Sequence, residues 1–293
     1  MSDTLDYMIT GATGQLGALV LEQLKAAAPD ATIGALVRRP DAASALEAQG
    51  FTVRMASYDD PAALEAALAG VAKLLLISSS EVGKRAVQHR NVIAAAEKAG
   101  VNFVAYTSIL NADSSPLTVL PGEHVATEQA LEASGLDYAL LRNGWYSENY
   151  VMGAGAALEH GALIGAAGEG RISSAARADY AAAAVAVLTG ETPARGTVYE
   201  LAGDQSYTLT EFAAALSEIA GKQIPYVNMS EPDYAAALEG AGLPTPVAQM
   251  LADSDNGAAQ GGLFSDDKTL SGLIGRPTTP WKETLAAGVA VEA

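Results

Sequence analysis

Over the first 142 residues, short apolar runs alternate with longer stretches whose apolar positions recur at helical spacing. The runs at residues 7–10, 32–37, 52–55, 73–77, 103–107 and 137–141 predict strands, because each is brief, apolar and bounded by turn formers. Between them, residues 16–28, 41–49, 61–68, 83–99 and 123–134 are rich in Ala, Leu, Glu or Lys and predict helices. Strict alternation implies parallel strands joined by right-handed crossovers, that is, an α/β fold with a doubly wound sheet. Ligands of such sheets bind outside the carboxyl ends of the strands. Beyond Arg142 the alternation weakens. Glycine-rich turns at 165–170, a short strand at 197–201, an added strand within 222–228 and helices at 177–188, 210–220, 232–239 and 281–289 predict a smaller α/β cap. The expected division is therefore a dinucleotide-binding core at 1–142 and a mainly substrate-binding cap at 143–293, with some cap segments returning to the core.

The sharpest chemistry follows the first strand. Gly11-Ala12-Thr13-Gly14-Gln15-Leu16-Gly17 leads from a strand into a helix, the setting in which glycine spacing becomes evidence for a Rossmann-like dinucleotide site. Gly11 permits the sharp turn, Gly14 lets the backbone approach a pyrophosphate and Gly17 lets the helix lie close to the sheet, while the helix N-terminus attracts the anion. A tight turn without a ligand is the alternative. At the end of the second predicted strand, where NAD-specific proteins place an acid for the ribose, stands Val37-Arg38-Arg39-Pro40. Arg38 lies close to the ~20-residue offset at which the discriminating side chain sits. A guanidinium there suits a 2′-phosphate, which favours NADP(H), unless Arg38 is simply solvated at a strand end.

Composition narrows the classes further. The chain carries 17 Lys and Arg against 34 Asp and Glu, a formal net charge of −17, so direct nucleic-acid binding is not expected. It has no cysteine, which removes disulfides, thiol nucleophiles and thiolate metal sites. No stretch has the ~18 apolar residues of a membrane span, so no membrane insertion is expected. The start, Met1 to Asp6, has no basic leader region, and a cytoplasmic protein is expected. His89 and His160 lack partners at ligand spacing, so no metal site is expected.

The run from Thr10 to Gly17 resembles the opening of the atypical, NmrA-like branch of short-chain dehydrogenases/reductases. Leu74 to Gly83, Gln88 to Ile93, Ala105 to Ser108, Glu123 to Glu128, Leu141 to Tyr150, Arg177 to Tyr180, Tyr199 to Gly203 and Leu251 to Asp255 sharpen this. Together they are similar to the bacterial type-2 NAD(P)H:quinone oxidoreductases over nearly the whole chain. The resemblance implies NADPH-dependent two-electron reduction of quinones, with triphenylmethane-dye reductases as relatives. It implies cofactor contacts from Gly11, Thr13, Gly14, Gln15, Leu16, Gly17, Arg38, Ser78, Ser79, Ser80, Asn143 and Tyr146, with Thr107 added because it sits at a strand end. Ser57 departs from the family pattern, which carries an acid at that strand end; Asp59 or Asp60 is the substitute near adenine.

The usual Tyr-x-x-x-Lys pair of short-chain reductases is missing, and the corresponding helix carries His124 and Glu128 one turn apart. Hydride addition to a quinone leads to a phenolate whose conjugate acid has a pKa of about 10, so little acid catalysis is needed and water suffices. No catalytic residue is assigned. Two readings compete for His124: a weak proton donor titrating near neutrality beside Glu128, or a structural histidine. Trp145, Tyr146, Asn149 and Tyr150 are the candidate walls for a flat electrophilic small molecule, with core packing as the alternative for the aromatics. Arg177 either reaches cofactor phosphates or caps a helix. The missing pair also fits a non-catalytic NADP(H)-binding redox sensor. A homodimer is compatible with the sequence and not specified by it.

Overall fold

The computed structural model describes residues 4–292; residues 1–3, on which the expectation of no leader partly rests, lie outside them. In order the chain forms β1 (Leu5–Ile9), α1 (Gln15–Ala27), β2 (Ile33–Val37), a 3₁₀ turn (Pro40–Ala42), α2 (Ala43–Ala48), β3 (Thr52–Met55) and α3 (Pro61–Leu68). Then come β4 (Val71–Leu76), α4 (Arg85–Ala99), β5 (Phe103–Ile109), α5 (Pro121–Ala133) and β6 (Asp137–Asn143). The remainder comprises α6 (Ser147–Val151), α7 (Ala154–His160), β7 (Leu163–Gly165), α8 (Arg177–Thr189), β8 (Thr197–Leu201) and α9 (Leu209–Ala220). Last are β9 (Tyr226–Asn228), α10 (Glu231–Gly240), α11 (Thr245–Ala259), α12 (Thr269–Ile274) and α13 (Trp281–Glu292).

The main sheet has the order β3-β2-β1-β4-β5-β6-β8. β1 pairs in parallel with both β2 and β4, with Met8 opposite Gly34 on one side and Leu74 on the other. The chain runs outward from β1 through β2 and β3, then returns to β4 on the opposite flank of β1. That reversal opens a crevice at the carboxyl ends of β1 and β4, the usual ligand position in such sheets. β2 and β5 are buried at every position, which is why they read as continuous rather than alternating apolar runs. Leu5, Met8, Leu36, Leu64, Leu74, Val104, Tyr106 and Leu131 belong to one buried cluster, each large aliphatic contributing on the order of 1.5–3 kcal/mol by leaving water.

Two compact units emerge. The first runs to Ile109 and includes Glu123–Arg142 and Tyr180–Tyr199; the second comprises Leu110–Gly122, Asn143–Asp179 and the chain from Glu200 onward. Sequence pattern predicts six strands for the sheet, and it has seven, because Thr197–Leu201 joins it. In the second unit the strand expected within 222–228 is only Tyr226–Asn228, paired with a short β7 that overlaps the start of the expected glycine-rich turn. Helix α4 starts at Arg85 rather than Gly83, since Gly83 adopts a left-handed φ of 88°. Among the described residues, no helix is long and apolar enough to cross a membrane.

Candidate functional site

Gly11, two residues past the end of β1, has φ 59° and turns the chain so that its carbonyl accepts from Gly14 N–H at 2.9 Å. Gly14 then caps α1 without any side-chain hydrogen bond, leaving the first-turn amides to whatever anion approaches. A Cβ on Gly17 would stand 2.2 Å from the Gly11 carbonyl oxygen, so only glycine permits this helix to lie so close. The turn borders a cavity of about 630 Å³, within the size range of small-molecule sites.

Gly11, Thr13, Gly14, Arg38, Ser78, Ser79 and Ser80 from the predicted set all line it. Gln15, Leu16 and Gly17 belong to the first turn of α1, and Leu16 and Gly17 are buried. Leu36, Ala56, Tyr58 and Ile77 line the cavity too and were not singled out by sequence. Burial pushes the Tyr58 hydroxyl up to about 12, so it remains protonated. The third-strand end thus presents Ala56 and Tyr58 to the cavity, while Asp60 is spent capping α3 through Ala63 N–H at 3.0 Å.

The Ser78 to Ser80 turn is held from behind. Thr107 is buried and its hydroxyl accepts from Ser78 N–H at 2.9 Å, which ties this predicted contact residue to the turn. Ser79 N–H donates to His89 Nε2 at 2.9 Å, and Arg85 Nε donates to the Ser79 carbonyl at 2.7 Å. Since an amide can only donate, His89 must carry its proton on Nδ1, where it meets Thr127 Oγ1 at 2.9 Å; Thr127 in turn donates to Glu123 O. Burial first, and Arg85 second, depress His89 to a pKa of about 3, which keeps it the neutral acceptor that Ser79 needs. Sequence reasoning missed this role, because a histidine 38 residues from its partner Thr127 on another helix leaves no spacing signal.

Of the two readings for His124, its setting favours the structural one. It is buried, with Nδ1 at 2.8 Å from the Tyr106 hydroxyl and Nε2 at 3.2 Å from Arg85 Nη1. Arginine can only donate, so His124 Nε2 accepts and the ring is neutral. Burial, then Arg85 and His89, lower its pKa well below the ordinary 6.5. It therefore does not titrate near neutrality, and Glu128 does not help it: that carboxylate is held by Arg142 through 3.0 Å and 2.6 Å contacts and by the Ser108 hydroxyl.

Arg38, which lines the cavity, meets Glu81 Oε1 through Nη1 at 2.6 Å, with their side chains 59% and 31% exposed. Glu81 Oε2 is also 3.5 Å from Lys84 Nζ. Arg39 points instead toward Asp41, at 3.5 Å.

In the second unit, Asn143 is buried and its Oδ1 lacks a hydrogen-bond partner. Arg177 lies 4.8 Å above the Tyr146 ring and donates to Asn149 Oδ1 at 2.6 Å, and its backbone N–H donates to Glu148 at 2.9 Å. Trp145 is buried. The Tyr150 hydroxyl donates to Asp255 at 2.8 Å, and its ring sits 6.4 Å from Tyr207 and 6.1 Å from Phe212.

A glycine turn at a sheet reversal, with a guanidinium lining the same cavity, defines a dinucleotide-binding protein. The profile of a family described as NAD(P)H-binding matches residues 11–191. The chain is 62% identical to quinone oxidoreductase 2 of Escherichia coli strain K12 over 278 residues, covering 95% of this chain and 96% of that protein. The crystal structure of an NADPH-dependent quinone oxidoreductase from Escherichia coli complexed with NADPH matches with a TM-score of 0.93 and 61% identity, covering 96% of this chain and 99% of that one. The Citrobacter sp. triphenylmethane reductase complexed with NADP(H) matches with a TM-score of 0.92 and 38% identity, covering 97% of this chain and 100% of that one. The chain belongs to the NmrA-like, NAD(P)H-binding family and, within it, to the type-2 quinone oxidoreductases.

Proposed function

We propose that this protein reduces quinones to hydroquinones with NADPH by transfer of two electrons. The observation that carries the reading is the cavity lined by the Gly11 turn, the Ser78 to Ser80 turn and Arg38, in a chain so similar to quinone oxidoreductase 2. The residues fit a phosphorylated dinucleotide: a glycine-capped helix end for the pyrophosphate and an accessible guanidinium for the 2′-phosphate. Gly11, Thr13, Gly14, Gln15, Leu16 and Gly17 would hold the pyrophosphate, Arg38 the 2′-phosphate, and Ser78 to Ser80 the intervening segment. Thr107 acts through Ser78, whose amide it holds. Asn143, with its buried unpartnered oxygen, and Tyr146 are assigned to the cofactor as well. Trp145, Tyr146, Asn149 and Tyr150 are assigned to the acceptor.

When bound, NADPH supplies a hydride, and one solvent proton completes the hydroquinone. The chain's own task is to position the two reactants and exclude side reactions. Glu128 is engaged by Arg142, and His124 is neutral and fully hydrogen-bonded, so neither stands as a proton donor. A phenolate with a conjugate-acid pKa of about 10 takes its proton from water. Residues 1–142, apart from Leu110–Gly122, serve as the dinucleotide-binding core and 143–293 mainly as the cap, with Tyr180–Tyr199 returning to the first unit. This reading places the protein in the cytoplasm, where NADPH is regenerated, with a flat small molecule rather than nucleic acid as its partner.

The likeness to the triphenylmethane reductase favours a second, wider reading in which other conjugated electrophiles are accepted. Anaerobic NADPH oxidation is the test, with 1,4-benzoquinone, a triarylmethane dye and a simple ketone, each corrected for the uncatalysed rate. Turnover is expected with the quinone and not with the ketone. NADPH binding without turnover on any acceptor would replace the enzyme with a redox sensor.

A further inference from the structure

The guanidinium assigned to the 2′-phosphate is already engaged. Arg38 Nη1 lies 2.6 Å from Glu81 Oε1, a charge-assisted bond at the short end of its range. Glu81 is anchored by its backbone, not by this bond: its N–H donates to Ser79 Oγ at 3.2 Å, and its carbonyl accepts from Lys84 and Arg85 amides at 3.0 and 3.1 Å. The carboxylate is therefore carried on the same turn that supplies Ser78, Ser79 and Ser80 to the cavity. It is a fixed anion beside the cation that must read the cofactor, and its second oxygen faces Lys84 Nζ at 3.5 Å.

We propose that Glu81 is a specificity-determining residue that competes with the cofactor's 2′-phosphate for Arg38 and so narrows the preference for NADPH over NADH. This rests on the assignment of Arg38 to the 2′-phosphate. A 2′-phosphate gains the guanidinium only by displacing Glu81, and the displaced carboxylate then stands near the phosphate as a like charge. NADH carries a neutral hydroxyl at this position, leaves the Arg38 to Glu81 pair intact and meets no such opposition. The carboxylate thus acts on one cofactor and spares the other. Because both partners are partly exposed, the effect has the modest size of a surface ion pair.

Equilibrium binding of NADPH and NADH to the whole protein, followed by calorimetry or by quenching of tryptophan fluorescence, tests this in Glu81→Gln. The glutamine keeps the shape and the backbone bonds and removes the charge. The expected result is a two- to fivefold tighter NADPH with NADH changed by less than about twofold. An unchanged ratio, or weaker NADPH because Glu81 was holding Arg38 in place, would overturn the proposal. The same substitution made on Arg38→Ala should leave the cofactor ratio unchanged within about twofold; a full effect there would mean that Glu81 acts without Arg38 and would also overturn it. The underlying assignment fails separately, when the unaltered protein shows no preference for NADPH or Arg38→Ala leaves that preference untouched.

Discussion

Under the proposed reading, cofactor choice turns on Arg38, whose setting defines how large an effect to expect. Hydrogen bonds to charged groups contribute about 1.5–3 kcal/mol, and part of that is offset here by the Glu81 contact that must be given up. Arg38→Ala should weaken NADPH by about tenfold and leave NADH within about threefold, measured as dissociation constants at one ionic strength. Equal losses for both cofactors would place Arg38 on a part of the dinucleotide that the two share. Much of this site was legible as residues. The glycine spacing carries its own mechanical reason, and Arg38 follows from the register of a strand end. Tyr58 and Ala56 were not legible, because their approach to the cavity depends on β3 lying beside β2. Nor was Glu81, whose meaning lies in a partner 43 positions away.

At the scale of elements, the six predicted core strands were readable because buried parallel strands leave continuous apolar runs between good helix formers. The misses have physical causes. Helices α6 and α7 have five and seven residues, too short to establish a period, and α11 buries Asp253, Ser254 and Asp255, which reads as a polar stretch. Those buried polar groups make pH a probe of each unit. Helices α4 and α5 bury His89 and His124, both with lowered pKa. Between pH 6.5 and about 3 the unfolded chain binds protons that folded His89 refuses, so its contribution is complete above 6.5 and is lost as the pH falls. Urea unfolding from pH 8 to 4 should show a stability loss below 6.5 that is shallower in His89→Gln, by up to about 1.4 kcal/mol per pH unit. Parallel curves for the two proteins would contradict the buried neutral ring.

Asp255 in α11 has the opposite sign. Burial, against hydrogen bonds from Ala166 and Tyr150, raises its pKa to about 6. Its folded form binds a proton that the unfolded form has lost above 3.8, so stability is present below 3.8 and is lost as the pH rises through 6. Asp255→Asn can still accept from Ala166 N–H and turn its amide toward the Tyr150 oxygen. It should be more stable than the unaltered protein at pH 8, by on the order of 1–3 kcal/mol, with the difference vanishing toward pH 4. A destabilised Asp255→Asn at pH 8 would show that the ionised carboxylate is worth more to this cluster than its burial costs.

For the whole molecule the dominant quantity is the net charge of −17, set against a reaction whose cofactor is itself a polyanion. Only 17 basic side chains are present, and two of them, Arg38 and Arg39, line the one cavity proposed for the cofactor. The remaining field opposes any anion that approaches without such a local partner. Quinones test this cleanly, because a sulfonated naphthoquinone and its neutral parent share a ring but differ in charge. Ionic strength shortens the reach of the field from about 30 Å at 0.01 M to about 8 Å at 0.15 M. With NADPH saturating, kcat/KM for the sulfonated quinone should rise several-fold across that interval, while the neutral parent should change by less than about twofold. A decline for the sulfonated substrate would mean that it is drawn in by a local cation, and would point to Arg177, beside Tyr146 and Asn149, as the group that receives it. A rise would show the acceptor reaching its site through the field of the whole protein.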